Sequence, residues 1–344
     1  MPIVAVRASI LIFTLVLPAI DTSSAQEKVE GRVAIVVQGG AGVILRQNLS
    51  PEMESQYRAT LTEAILAGYA ALKERRTGLD AVEATIRVLE DSPLFNAGKG
   101  AVFTHDGTNE LDASIMEGKT LSAGAVAGVK HIKNPISLAR MVMERSPHVM
   151  LIGAGAEAFA KKQGVELVEE SYFYTEKRWK QLQEALAREK EDSAKGKKMN
   201  AIPFEGPDGR YGTVGCVVLD AFGNLAAGTS TGGMTNKRAG RVGDAPIIGA
   251  GTYADNATCA VSATGDGEYF IRAGVARDVA AMVEYKGLSL DSAAAQAIAK
   301  VGKLGGTGGV IALDRQGHMS MPFNSPGMYR AYIDADGKVI FKIW

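Results

Sequence analysis

A threonine heads an apolar run in Gly212-Thr213-Val214-Gly215-Cys216-Val217-Val218-Leu219-Asp220. If the bond between Gly212 and Thr213 breaks, Thr213 carries a hydroxyl and a free α-amine on one residue. Such an amine titrates near about 7.7–8.0, so much of it is an available base at neutral pH. It can take the proton of its own hydroxyl, which makes one residue both nucleophile and base. Three more segments carry chemistry. Gly228-Thr229-Ser230-Thr231-Gly232-Gly233-Met234-Thr235-Asn236-Lys237 reads as a strand entering a glycine loop. Gly240-Arg241-Val242-Gly243-Asp244 sets a guanidinium near a carboxylate on a glycine-loosened loop. Ser262-Ala263-Thr264-Gly265-Asp266-Gly267-Glu268 is a strand end leading into a helix, whose first N–H groups face whatever lies beyond the strand. An Arg/Asp pair suits a zwitterion, with Arg forked onto an α-carboxylate and Asp on an α-ammonium. Taken alone, the pair reads more readily as an ion pair in a surface turn.

Two pattern matches are weaker. Gly228-Thr229-Ser230-Thr231-Gly232 fits G-x-S-x-G, but that nucleophile elbow needs a helix directly after the serine and a later Asp and His. Here a Gly-Gly loop follows and only His318 lies downstream. Gly39-Gly40-Ala41-Gly42 follows a strand but lacks the spacing or the lysine of a phosphate loop. The four histidines are scattered without metal-ligand spacing.

The elements that must position these groups are legible from periodicity. Residues 32–38 read as a buried strand ending at the glycines. Ser50-Pro51 opens a helix with Tyr57, Leu61, Ile65, Gly68 and Leu72 on one face, and Leu79, Val82, Ile86 and Leu89 mark a second. Residues 111–117 and 121–129 read as strands, and 176–192 as an exposed charged helix. A polar, Gly- and Pro-rich stretch then ends at Thr213, so 175–212 reads as a linker. Asp220 to Gly223, Asp314 to Gly317 and Asp334 to Gly337 each read as a hairpin turn between antiparallel strands. Between them, 268–284 and 289–304 read as helices. Strands early and late with helices between predict an α+β layered sandwich.

Composition narrows the class. The chain has 344 residues, 46% of them hydrophobic, and its 38 Lys and Arg balance 38 Asp and Glu, so no basic excess points to nucleic acid. Forty glycines without a period imply tight turns and close backbone approaches rather than collagen or a linker. Arg7, the apolar run 8–20 and Ser23-Ser24-Ala25 read as a secretory signal over residues 1–25. The apolar run is shorter than the roughly 20 residues a spanning helix needs. A periplasmic or secreted protein is therefore expected, with no membrane attachment once the signal is removed. Cys216 and Cys259 both fall in apolar runs and read as buried free thiols.

Together, in this order, the segments resemble the plant-type L-asparaginases/isoaspartyl peptidases, which are N-terminal-nucleophile hydrolases. The likeness rests on Gly212-Thr213-Val214-Gly215, on the stretch Thr229 to Lys237, on Gly240 to Asp244, on Gly249-Ala250-Gly251-Thr252-Tyr253-Ala254-Asp255-Asn256 and on Ala263-Thr264-Gly265. Upstream it continues through Gly39 to Gly42, Pro93-Leu94-Phe95-Asn96-Ala97-Gly98, Glu110 to Ser114 and Ser146 to Val149. The resemblance implies an αββα four-layer sandwich, made as a precursor that cuts itself between Gly212 and Thr213. The products would be an α chain, 26–212, and a β chain, 213–344, of one domain, assembled as an (αβ)2 heterotetramer. It further implies Thr213 as nucleophile, Thr231 tuning its hydroxyl, and Thr264 with the Gly265 N–H as oxyanion hole. Arg241 and Asp244 would grip the substrate, Val242, Gly243, Asp266 and Gly267 would line its pocket, and Asn96 would support the site. The carbonyls of Leu89, Glu90, Ser92, Phe95, Ala97 and Lys99 would hold a structural Na⁺, with no catalytic cofactor. The implied substrates are L-asparagine and isoaspartyl dipeptides, cleaved to L-aspartate through an acyl-enzyme. One departure is Gln38, where the family usually has His before the glycines.

Three rivals remain at this level. A glycosylasparaginase of the same fold would act on Asn-linked glycan remnants. A serine esterase would use Ser230. An amino-acid-binding protein would use Arg241 and Asp244 and remain one uncut chain.

Overall fold

The computed structural model describes residues 31–195 and 212–344; the signal segment and residues 196–211 of the linker lie outside them. The first part of the chain forms β1 (Ala34–Gly42), α1 (Pro51–Lys73), α2 (Gly78–Asp91), β2 (Leu111–Glu117) and β3 (Ala123–Val129). It continues through α3 (Pro135–Arg145), β4 (Met150–Ile152), α4 (Gly153–Lys162) and α5 (Glu176–Ala194). After the linker come β5 (Val214–Leu219), β6 (Leu225–Thr231), β7 (Thr252–Ala254) and β8 (Cys259–Gly265). Then follow α6 (Gly267–Ala273), α7 (Val275–Lys286), α8 (Leu290–Lys303), β9 (Gly308–Asp314), β10 (Met319–Ser320), β11 (Gly327–Ile333) and β12 (Val339–Lys342).

Local chemistry explains the helix boundaries. Ser50 caps α1 by accepting from Met53 N, with Pro51 in the first turn, and Thr77 and Asp80 form a reciprocal capping box on α2. The apolar faces expected of both helices are buried. Gly68 lets α1 lie close on α2, because a Cβ there would run into Thr85 Oγ1.

The strands form two sheets. The larger runs β12-β11-β1-β5-β6-β2-β3-β4 and is antiparallel except where β3 meets β4. The smaller runs β10-β9-β8-β7. Val36, Val217, Leu225 and Ala227 of the larger sheet pack against Ala260, Ile311 and Leu313 of the smaller. Helices α1 to α3 cover the outer face of the larger sheet, and α6 to α8 that of the smaller. The result is the expected α+β sandwich, in the layer order αββα. No helix among the described residues is long and apolar enough to cross a membrane.

The three Asp-Gly turns are the hairpin turns of β5–β6, β9–β10 and β11–β12. Four expectations need correction. Strand β1 does not end at Gln38 but continues through Gly42, with a bulge between Gln38 and Gly40. Strand β3 begins at Ala123, two residues later than expected, after Leu121 at φ 60°. The helix expected over 268–284 is two helices, because Gly274 takes φ 60° and stops α6. Helix α5 is not simply an exposed charged face: it buries Arg178, Gln181, Leu182 and Ala185. Cys216 and Cys259 are free and buried, one under the helices of each outer layer.

Candidate active site

Thr213 stands immediately before β5, in the middle of the larger sheet, and is buried. Its Oγ1 donates to Thr231 Oγ1 at 3.1 Å, from the end of the adjacent strand β6. Thr231 Oγ1 also accepts from Gly233 N at 3.0 Å, so the glycine loop fixes the second hydroxyl from behind. Asn96 braces that loop, donating to Gly233 O at 2.6 Å and accepting from Val102 N at 3.0 Å.

The smaller sheet brings up Thr264 and Gly265 at the end of β8. Thr264 Oγ1 accepts from Ala41 N at 3.3 Å, an amide presented just past the bulge in β1. That bond spends a lone pair and leaves the hydroxyl proton available for another acceptor. Gly212 lies against this hydroxyl: a Cβ at Gly212 would run into Thr264 Oγ1. A Cβ at Gly40 would in turn meet the backbone of Gly212. The Gly39-Gly40-Ala41 segment is thus a close-approach surface for the Gly212–Thr213 bond, not a phosphate loop. Gln38 Oε1 accepts from Gly40 N at 2.7 Å, which holds the bulge.

Arg241 and Asp244 converge on Gly267 at the start of α6. A Cβ placed there would stand 3.0 Å from both Arg241 Nη2 and Asp244 Oδ1, so the two groups flank one spot that glycine leaves open. They are not an ion pair of a surface turn. Arg241 forks onto Glu268, with both bonds at 2.8 Å, while Asp244 is buried. Burial pushes the Asp244 carboxyl up to about 6, partly offset by Arg241. An incoming carboxylate therefore shares Arg241 with Glu268, and an incoming ammonium would satisfy Asp244.

One cavity joins these groups. Its wall includes Gly212, Thr213, Thr231 and Asn96 on one side, and Arg241, Gly243 and Asp244 on another. Gly265, Asp266 and Gly267 close it. Thr264 lies just behind the wall, and Val242 is not part of it. Asp266 accepts from Thr307 N and Oγ1 at 2.8 and 3.0 Å, and Thr307 lies on the same wall. Among the wall residues not anticipated as site residues are Glu268, Arg178 and Gln181. Glu268, an acid in the first turn after Thr264-Gly265, had a sequence signal. Arg178 and Gln181 had none in a helix read as solvent-facing.

Ser230 is not a nucleophile elbow. It lies within β6, fully buried, and donates to Glu90 Oε1 at 2.6 Å. No cluster of His, Cys, Asp or Glu among the described residues could hold a metal ion. The 89–99 turn is a different donor set, built of carbonyls. Glycines close it where a side chain would collide, Gly98 against Glu90 O and Gly100 against Phe95 O. Backbone carbonyls are hard oxygens, the donor type a hard cation takes. The carbonyls of Leu89 and Ala97 each accept one backbone N–H, from Ser92 and Gly100, and keep a second lone pair.

The profile of the Asparaginase family matches residues 31–342. An isoaspartyl peptidase of Escherichia coli K12 is 51% identical over 303 residues, covering 88% of this chain and 93% of the relative. A probable isoaspartyl peptidase/L-asparaginase 2 of Arabidopsis thaliana is 44% identical over 333 residues, 91% and 99% of the two chains. A plant-type L-asparaginase of Thermococcus kodakarensis is 44% identical over 302 residues, 87% and 96%. With that profile match and relatives so similar from end to end, this chain belongs to the Asparaginase family of N-terminal-nucleophile hydrolases.

Proposed function

We propose that the protein cuts itself before Thr213 and then releases L-aspartate from isoaspartyl dipeptides and L-asparagine through an ester on Thr213. The relatives' names make it an isoaspartyl peptidase/L-asparaginase, and favour that reading over a glycosylasparaginase. The observation that carries the residue assignment is the Thr213–Thr231 hydroxyl pair in one cavity with Arg241 and Asp244.

In the precursor, Thr213 Oγ attacks the Gly212 carbonyl carbon, the C–N bond breaks, and the acyl group moves from nitrogen to oxygen. Water hydrolyses that ester, leaving a free α-amine on Thr213. In the mature enzyme this amine takes the hydroxyl proton as Oγ attacks the side-chain amide of the aspartyl unit. The oxyanion is held by the Thr264 hydroxyl and the Gly265 N–H. The ammonium of Thr213 returns its proton to the leaving amine, and a water activated by the same amine frees L-aspartate. Arg241 holds the α-carboxylate and Asp244 the α-ammonium, which places the amide carbonyl over Thr213. Gly243, Asp266 and Gly267 line the pocket at that end, and Asn96 keeps the Thr231 loop in place.

The 89–99 carbonyls would hold Na⁺, which supplies no chemistry to the reaction and braces the turn that carries Asn96. Residues 1–25 would direct secretion or periplasmic export, and the two chains would assemble as (αβ)2.

Intact-mass spectrometry tests the reading. Two chains are expected, the smaller starting at Thr213, with Thr213→Ala remaining one inactive chain. A cleaved Thr213→Ala protein would overturn the mechanism.

A further inference from the structure

We infer that Arg178 and Gln181 form a second carboxylate site, which takes the C-terminal carboxylate of the leaving amino acid of an isoaspartyl dipeptide. This rests on the proposed function and names the half of the substrate that the residues above leave unassigned.

An isoaspartyl dipeptide carries two carboxylates, one on each side of the bond that breaks. L-asparagine carries only the first. The cavity wall likewise holds two guanidinium groups, Arg241 and Arg178. Arg241 belongs with Asp244 and Gly267, at the end that suits the α-carboxylate and α-ammonium of the aspartyl half. Arg178 comes from elsewhere in the chain, on α5.

The bonds around Arg178 hold its guanidinium rigidly and tie it to the reacting hydroxyl. Its Nε donates to Gly100 O at 2.8 Å, and its Nη1 donates to Gln181 Oε1 at 3.1 Å. Two residues on, Val102 N donates to Asn96 Oδ1, and Asn96 Nδ2 donates to Gly233 O. Gly233 N then reaches Thr231 Oγ1, the partner of Thr213. Arg178 is thus linked to the loop that holds Thr231, while Arg241 and Asp244 meet at Gly267. Both guanidinium groups line the cavity that holds Thr213. Arg178 is only 2% exposed, so a carboxylate reaching it meets a planar donor fork in a low dielectric, where such pairing is strong. The plainer role, anchoring α5 to Gly100, needs neither a place on the cavity wall nor a positive charge there.

The test uses the self-cleaved enzyme with β-aspartyl-leucine, β-aspartyl-leucinamide and L-asparagine. The first two differ only in the charge of the group Arg178 would hold. Wild type is expected to favour the acid over the amide by roughly tenfold to a hundredfold in kcat/KM, carried by KM. Arg178→Met should bring that ratio to about one, while Arg178→Lys, a charge without the fork, keeps part of it. If Arg178→Met does not accumulate folded, Arg178→Lys and Gln181→Leu are read by the same ratio and should each lower it. A wild-type ratio of one overturns the inference. So does a variant whose ratio stays at the wild-type value, including one that loses activity equally on all three substrates. Wild type that turns over none of the three overturns the proposed function as well.

Discussion

The hydroxyls of Thr231 and Thr264 each accept one backbone N–H, from Gly233 and Ala41, and each is thereby aimed before any substrate arrives. Pre-aimed donors cost no reorganisation when charge develops, and losing one typically costs about a hundredfold to a thousandfold in rate. Thr264→Val, which keeps the shape and removes the donor, should slow self-cleavage by about that factor, read from the decay of the uncut band. Asp244 makes a different prediction. With its carboxyl near 6, it is charged at pH 7.5 and largely protonated at pH 5, where it cannot pair with an ammonium. L-aspartate binding, measured by calorimetry on the cut enzyme, should weaken about tenfold per pH unit below 6, and Asp244→Asn should flatten the dependence. Because the folded-state value is raised, the Asp244 contribution to stability is full below the ordinary 3.8 and lost as pH rises through about 6. A product that binds equally well at pH 5 and 7.5 would remove Asp244 from the ammonium site.

Among the elements, the loop between β6 and Arg241 depends on a buried lysine. Lys237 Nζ donates to Glu110 O at 2.9 Å and lies 4.0 Å from Asp112 Oδ2, with both side chains fully buried. A Cβ at Gly233 would stand 2.9 Å from Lys237 Cδ and Nζ, so the lysine stem runs directly beneath the loop. Lys237→Met leaves Asp112 buried without its counter-charge and should destabilise by about 3–5 kcal/mol, read from the urea midpoint. Adding Asp112→Asn should recover part of that loss. This support was not legible beforehand, since Lys237 reads in sequence as the polar end of a loop. What was legible followed local rules: Ser50-Pro51 for a helix start, the Asp-Gly turns, and the apolar faces of α1 and α2. Thr213 stood out from its own strand end, whereas Thr231 and Thr264 took their roles from the family resemblance of their glycine-flanked strand ends. Arg178 could not be picked out, because its partner Gly100 is brought to α5 only by the tertiary fold. The single helix expected over 268–284 failed for a smaller reason. Gly274 fits a helical pattern equally well as an interior residue or as a left-handed stop.

At the scale of the whole molecule, the strand order mixes the two sides of the Thr213 bond. Strand β1 lies between β11 and β5, and β2 lies beside β6, so residues before and after that bond alternate across the larger sheet. Once cut, the two products remain joined by the β1–β5, β1–β11 and β2–β6 ladders. We expect cut protein to run as two bands after denaturation yet to melt in one calorimetric transition. Two separated transitions would mean that the chains hold together as independent units.

The same alternation sets a direction in time. Before the cut, β1 and β5 find each other within one tethered chain, a first-order event whose rate does not depend on protein concentration. After it, the same pairing is an encounter between two molecules, neither of which can complete the sheet alone. Precursor should therefore refold from urea at any dilution, whereas mature enzyme should recover activity only as concentration rises. If that bond breaks, the memory of how the sheet was assembled is lost with it.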